Sequence, residues 1–122
     1  MRFVILEHRL PAHSHPRALH WDLMLERDDV LRTWALAQEP EIGKTCDATQ
    51  LADHRLDYLE YEGPVSHDRG SVTRWDSGTY VVLQSIETSI LLELEAVNLG
   101  AVRVRLDGTA ESTIWRCEIV TQ

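Results

Sequence analysis

Between Leu19 and Glu26 the chain alternates residue by residue. On an extended strand His20, Asp22, Met24 and Glu26 share one face, and Leu19, Trp21, Leu23 and Leu25 share the other. Arg27-Asp28-Asp29 reads as a turn and Val30 to Ala37 as a returning strand, so residues 19–37 form a predicted β-hairpin. Arg2 to His8 is a mostly apolar run that fits a buried strand. Ser71 to Trp75, Gly78 to Leu83, Ser89 to Ala96, Ala101 to Asp107 and Thr113 to Val120 are further strand candidates. Leu10 to Ala18, Gln38 to Thr49 and Glu62 to Gly70 read as loops, and Leu51 to Tyr61 has room for a short helical turn. Many short strands at regular spacing predict a mainly β chain, a sandwich or closed barrel rather than a βαβ fold.

The chain has 122 residues, the size of one domain with its own core, so residues 1–122 are taken as a single domain. No run reaches the ~20 apolar residues of a membrane span. The apolar run at the N-terminus meets Glu7 too early for a signal peptide, so a cytoplasmic location without membrane contact is expected. Cys46 and Cys117 fit that expectation as reduced thiols. The net charge of −8 argues against a protein that coats nucleic acid by bulk electrostatics. A local pocket for one phosphate is compatible with it. Eleven of the 12 basic residues are Arg, the better bidentate partner for phosphate, although genomic bias in base composition accounts for such usage equally well.

His20 and Asp22 present an imidazole and a carboxylate to one point, because residues i and i+2 of a strand share a side. His8, ending the first strand, is the natural third ligand of a two-imidazole, one-carboxylate set with open positions. A surface ion pair fits the H-x-D pattern as well. His13 and His15, in the loop before His20, are alternatives to His8; a strand end is held more rigidly than a loop, which favours His8. His67-Asp68-Arg69-Gly70 reads as a polar turn, and Trp34, Trp75 and Trp115 as core.

An ordered set of segments resembles one family. The set comprises Phe3 to His8, Leu19 to Glu26, Val30 to Ala35, Asp53 to Tyr58 with Tyr61-Glu62-Gly63, Gly70-Ser71-Val72 with Trp75 to Tyr80, and Val102 to Gly108. Together they resemble the 3′-phosphoesterase domain of bacterial DNA ligase D, here in stand-alone form. The resemblance implies a compact β-barrel with a metal-site crescent on one side. It implies a divalent metal, Mn²⁺ in first place with Zn²⁺ or Co²⁺ as alternatives, held by His8, His20 and Asp22. It implies that His54 and Tyr58 contact a substrate phosphate. The implied reaction removes a 3′-phosphate or 3′-ribonucleotide from the 3′ end of DNA or an RNA–DNA primer, in non-homologous end joining. Separate ligase or polymerase proteins are the implied partners.

The chain departs from that pattern at one telling place. Relatives carry Arg two residues after the metal-binding Asp, where this chain has Met24. Arg32, standing where the family has Lys, or Arg17 is expected to supply the missing charge, and Met24→Arg to raise activity. A non-catalytic metal- and phosphate-binding module of the same fold is the alternative expectation.

Overall fold

A computed structural model describes residues 1–11, 18–109 and 111–122. Nine strands are present among them: β1 (Arg2–Arg9), β2 (Leu19–Arg27), β3 (Val30–Leu36), β4 (Thr45–Arg55), β5 (Gly63–Pro64), β6 (Ser71–Ile86), β7 (Ser89–Ala96), β8 (Gly100–Asp107) and β9 (Ile114–Thr121). A 3₁₀ turn, Leu56–Leu59, follows β4. The sheet runs β1-β2-β3-β4-β9-β8-β7-β6, and β6 pairs back to β1, so eight antiparallel strands close into a ring. Closure satisfies every main strand on both sides and leaves no long open edge. The two-residue β5 lies against the start of β6. None of the described helices is long and apolar enough to cross a membrane.

Two of the sequence expectations need correction. Gln38 to Thr49 is not all loop: β4 begins at Thr45, and Cys46 lies directly opposite Cys117 of β9, both as free thiols. The two candidates Ser71 to Trp75 and Gly78 to Leu83 are one 16-residue strand. Gly78 does not end it. The φ of Gly78 is +158, and a Cβ there would meet the Glu95 carbonyl oxygen at 1.9 Å, so glycine lets β7 approach.

Strand parity divides the apolar residues into two clusters. Phe3, Ile5, Leu23, Trp34, Leu92 and Trp115 belong to a large cluster. Trp34 and Trp115 meet edge to face there, ring centroids 5.8 Å apart. The opposite faces of β1, β2 and β3 carry a second, smaller cluster of Val4, Leu6, Met24 and Leu31, closed by Leu59 and by Val72 of β6. This explains why β2 is buried on both faces although its sequence alternates. The candidate site sits at the polar end of the smaller cluster.

Candidate metal centre

The β1–β2 register sets Leu6 opposite Asp22 and His8 opposite His20. These positions share the face of Met24, so the His and Asp side chains project to one place. The three offer ligand atoms that all lie within 4.8 Å of one another. His8 Nδ1 is 3.1 Å from Asp22 Oδ2, and His20 Nε2 is 3.1 Å from Asp22 Oδ1. The two imidazole centroids are 4.7 Å apart. Asp22 is 2% exposed and His20 6%, while His8 keeps a side open to solvent.

The hydrogen bonds decide what this cluster can hold. His8 Nε2 lies 2.8 Å from the Arg69 carbonyl, which can only accept, so Nε2 carries a proton. In the neutral ring Nδ1 then presents a lone pair to a carboxylate oxygen. Two acceptors at 3.1 Å need a cation between them: a proton, making His8 an imidazolium, or a metal ion. Ligands each ~2.1 Å from one ion at right angles would stand ~3.0 Å apart, close to the separations found here. Asp22 Oδ1 also accepts no well-formed hydrogen bond, although His20 Nε2 is at ion-pair distance. The donor set, with an imidazole nitrogen 3.1 Å from each carboxylate oxygen, fits a borderline divalent ion. The Arg69 carbonyl would play the outer-shell part that fixes a ligating imidazole's tautomer.

Asp76 offers a useful contrast. It is as buried as Asp22, but its oxygens accept the backbone N–H groups of Ser77, Asn98 and Leu99 at 2.8–2.9 Å. That carboxylate is fully used in holding the β7–β8 turn to β6. Asp22 has no such backbone donors among its recorded contacts.

Beyond Asp22 the cluster opens into a small cavity of about 60 Å³ whose lining includes His8, Asp22, Met24, His54, Tyr58 and Arg69. His54 and Tyr58 stack edge to face at 5.7 Å. His54 reaches this face through a bulge: Thr33 pairs with Leu51, but Leu31 pairs with His54, so the register slips by one between them. A one-residue slip turns every following side chain to the other face. Without it Asp53 would stand opposite Leu31. The His54 Nδ1–H then donates to the Ala52 carbonyl at 2.9 Å, which orients the ring.

Arg32 is not brought to this cavity. It shares parity with Trp34, lies 4.9 Å over that ring and lines a separate opening with Arg27 and Tyr80. The expectation that Arg32 supplies charge beside Asp22 therefore does not match its placement. His13, His15 and Arg17 lie outside the described residues. Met24 lines the cavity and is 1% exposed. Arg69, which the sequence offered only as part of a turn, is the residue that reading missed. The one available hint was its place just before Gly70. A Cβ on Gly70 would meet the Arg9 carbonyl oxygen at 1.8 Å, and φ is +78, so the loop is pinned against the end of β1 at that point.

The titrating groups answer to the same contacts. For His8, burial is the largest influence and lowers the pKa. The Asp22 hydrogen bond, the Arg69 carbonyl and the Asp22 charge together outweigh it, and the pKa ends above the ordinary 6.5. For Asp22, burial is again largest and raises the pKa, but both imidazoles outweigh it and hold the pKa below 3.8. A raised imidazole stabilises the fold below its unfolded pKa and loses that effect as pH rises through the folded value. A depressed carboxyl stabilises above its unfolded pKa and loses that effect as pH falls through the folded value. The metal-free protein should therefore draw most stability from this cluster between about pH 4 and 6.5. Thermal melts of chelator-treated protein across pH 3–9 test this. A cluster contribution that grows steadily above pH 7, read as the difference from Asp22→Ala, would contradict it.

Fold and cluster together define a class: a small closed antiparallel β ring carrying a two-histidine, one-carboxylate site beside a polar cavity. Comparison with known proteins gives the family. The model of the DNA ligase D 3′-phosphoesterase domain matches residues 11–117, and the chain belongs to that family. It is 30% identical over 116 residues to the multifunctional non-homologous end joining protein LigD of Pseudomonas aeruginosa, covering 91% of this chain and 13% of that protein. It is 39% identical over 83 residues to the LigD of Mycobacterium bovis, covering 64% of this chain and 10% of that one. The Mycolicibacterium smegmatis LigD is 37% identical over 86 residues, covering 65% and 10%. The chain thus spans about a tenth of the length of these curated relatives.

Proposed function

We propose that the chain is a metal-dependent phosphoesterase acting on nucleic-acid 3′ ends, removing a 3′-phosphate or 3′-ribonucleotide during DNA end repair. In this reading the ring is the β-barrel that the resemblance implies, and the cleft beside Asp22 is its metal-bearing crescent. The observation that carries the reading is the pair of facing acceptors, His8 Nδ1 and Asp22 Oδ2, beside a cavity lined by His54 and Tyr58. His8, His20 and Asp22 would hold the metal, with Mn²⁺ the first candidate and Zn²⁺ or Co²⁺ next. A bound metal of this kind polarises phosphoryl oxygens and lowers the pKa of a water toward neutrality. Tyr58 donates its hydroxyl to the phosphate. His54, its Nδ1–H given to Ala52, keeps Nε2 for proton exchange with the leaving oxygen. The substrate is the 3′ end of DNA or of an RNA–DNA primer, and ligase or polymerase activities would act on the product.

The test is release of phosphate or ribonucleotide from oligonucleotides ending in either group, with Mn²⁺ present. His54→Ala should lower turnover by about 10²–10³-fold, the usual worth of a proton-transferring side chain. It should leave the melting temperature nearly unchanged. A variant that unfolds, yet keeps full specific activity in its folded fraction, would make His54 structural. One observation favours a second reading, a non-catalytic metal- and phosphate-binding module: the uncharged Met24 thioether occupies the cavity wall next to Asp22. Metal and 3′-phosphate binding without any release would select it.

A further inference from the structure

Phosphate carries negative charge, and the cavity must meet it with a cation beyond the metal cluster itself. Arg69 is the one arginine or lysine among the described residues that line the cavity. Its neighbours in sequence and space are committed elsewhere. Arg9 pairs with Glu7 at 2.8 Å, and Arg74 donates to the Leu59 carbonyl at 3.1 Å. The Arg69 guanidinium forms no ion pair with a carboxylate among the described residues. It donates only to neutral acceptors of Ser66: Nε to the carbonyl at 2.8 Å and one Nη to the hydroxyl at 3.1 Å. A guanidinium has five N–H groups in a rigid fork, so three remain for an anion.

The backbone places this cation firmly although the side chain is exposed. Val65 N–H donates to the Gly70 carbonyl at 2.8 Å and closes the loop. His67 and Asp68 turn the loop with φ of 62 and 53, the left-handed region that His and Asp enter more readily than most residues. Gly70 is wedged against the Arg9 carbonyl, and the Arg69 carbonyl is bound by His8 Nε2. The residue that fixes the tautomer of His8 with its main chain thus lines the same cavity.

We infer that Arg69 is the phosphate-binding cation of this site, gripping the non-bridging oxygens of the substrate's terminal phosphate from the Val65–Gly70 loop. The inference rests on the phosphoesterase reading and adds to it a residue and a direction of approach. Contact comes from the loop that faces Asp22, not from β2, where Met24 supplies no charge. The grip discriminates a 3′-phosphate from a 3′-hydroxyl end, because only the former carries a phosphate group with free oxygens at the terminal 3′ position for a forked donor to meet.

The experiment measures binding, separately from turnover. Mn²⁺ affinity is taken by calorimetry, and the affinities of inorganic phosphate and of matched 3′-phosphate and 3′-hydroxyl oligonucleotides are taken with Mn²⁺ saturating. Arg69→Ala keeps the main-chain carbonyl, so Mn²⁺ affinity should stay within about twofold. Phosphate and 3′-phosphate affinity should fall about tenfold, the scale of a charge-assisted hydrogen bond at a solvent-open site. Preference over the 3′-hydroxyl oligonucleotide should shrink by the same factor. Arg69→Lys should recover part of the loss. Unchanged phosphate affinity in Arg69→Ala, with wild-type protein binding both Mn²⁺ and the 3′-phosphate end, would overturn the inference and leave the phosphoesterase reading standing. Wild-type protein that binds neither would overturn both. Because the side chain is exposed and makes only two hydrogen bonds, the variant should fold. A melt showing loss of fold would instead make Arg69 a structural clasp and overturn the inference.

Discussion

Replacing Asp22 by alanine is expected to abolish metal binding while leaving the protein folded. Asp22 stands between the two imidazoles, 3.1 Å from each, and is the only carboxylate in the cluster. Losing a partner that merely orients a metal ligand costs about 10–100-fold in affinity, so losing the anionic ligand itself should cost at least about a hundredfold. Hydrolysis of 3′ ends should disappear with it. Stability should change little, because the recorded partners of Asp22 are imidazoles and not backbone donors. Without Asp22, His8 can shed its extra proton and leave no stranded charge. The cost should be about 1.5–3 kcal/mol, one hydrogen bond to a charged group, which leaves the protein folded. Calorimetric Mn²⁺ titration and melts of chelated protein measure the two effects. An Asp22→Ala protein that binds Mn²⁺ as tightly as wild type would remove this residue from the site.

Asp76→Ala should do the reverse. Three backbone N–H groups from two segments converge on this carboxylate, which is 1% exposed. Alanine leaves all three unsatisfied in a place water reaches poorly. With hydrogen bonds to charged groups worth about 1.5–3 kcal/mol each, and partial relaxation of the β7–β8 turn, the loss should be roughly 3–5 kcal/mol. For a domain of this size that is a fall of roughly 10–20 °C in Tm. Mn²⁺ affinity at low temperature should persist in the folded fraction. A Tm within a few degrees of wild type would show that Ser77, Asn98 and Leu99 find other acceptors. The pair of variants separates a carboxylate spent on architecture from one left for a ligand.

The hairpin of β2 and β3 and the common face of His20, Asp22 and Met24 were legible because strand parity is a local property of the sequence. The mainly β class was legible for the same reason. The placement of Arg32 was also available in principle, since it shares parity with Trp34, whose apolar role was recognised. What stayed hidden depends on tertiary register. His8 was readable as the third ligand from its place at a strand end, but its direct pairing opposite His20 is fixed across a connection that carries no periodic pattern. His54 turns toward the site only through the Leu31/Thr33 bulge, which Ala52 and Asp53 do not announce in the sequence. β4 was hidden because Cys46, Asp47 and Ala48 read as loop composition until Trp115, Arg116 and Cys117 pair with them. Arg69 gains meaning only once the Val65–Gly70 loop closes over β1.

The central claim is that His8, His20 and Asp22 bind one divalent metal. Anomalous diffraction from crystals grown with Mn²⁺, collected on both sides of the manganese edge, tests it most directly. The account predicts a peak about 2.0–2.3 Å from His8 Nδ1, one nitrogen of His20 and one oxygen of Asp22. His8 Nε2 should still bond the Arg69 carbonyl in that structure. A manganese peak elsewhere, or an occupied lattice in which His8 Nδ1 and Asp22 remain bridged by a proton alone, would contradict it.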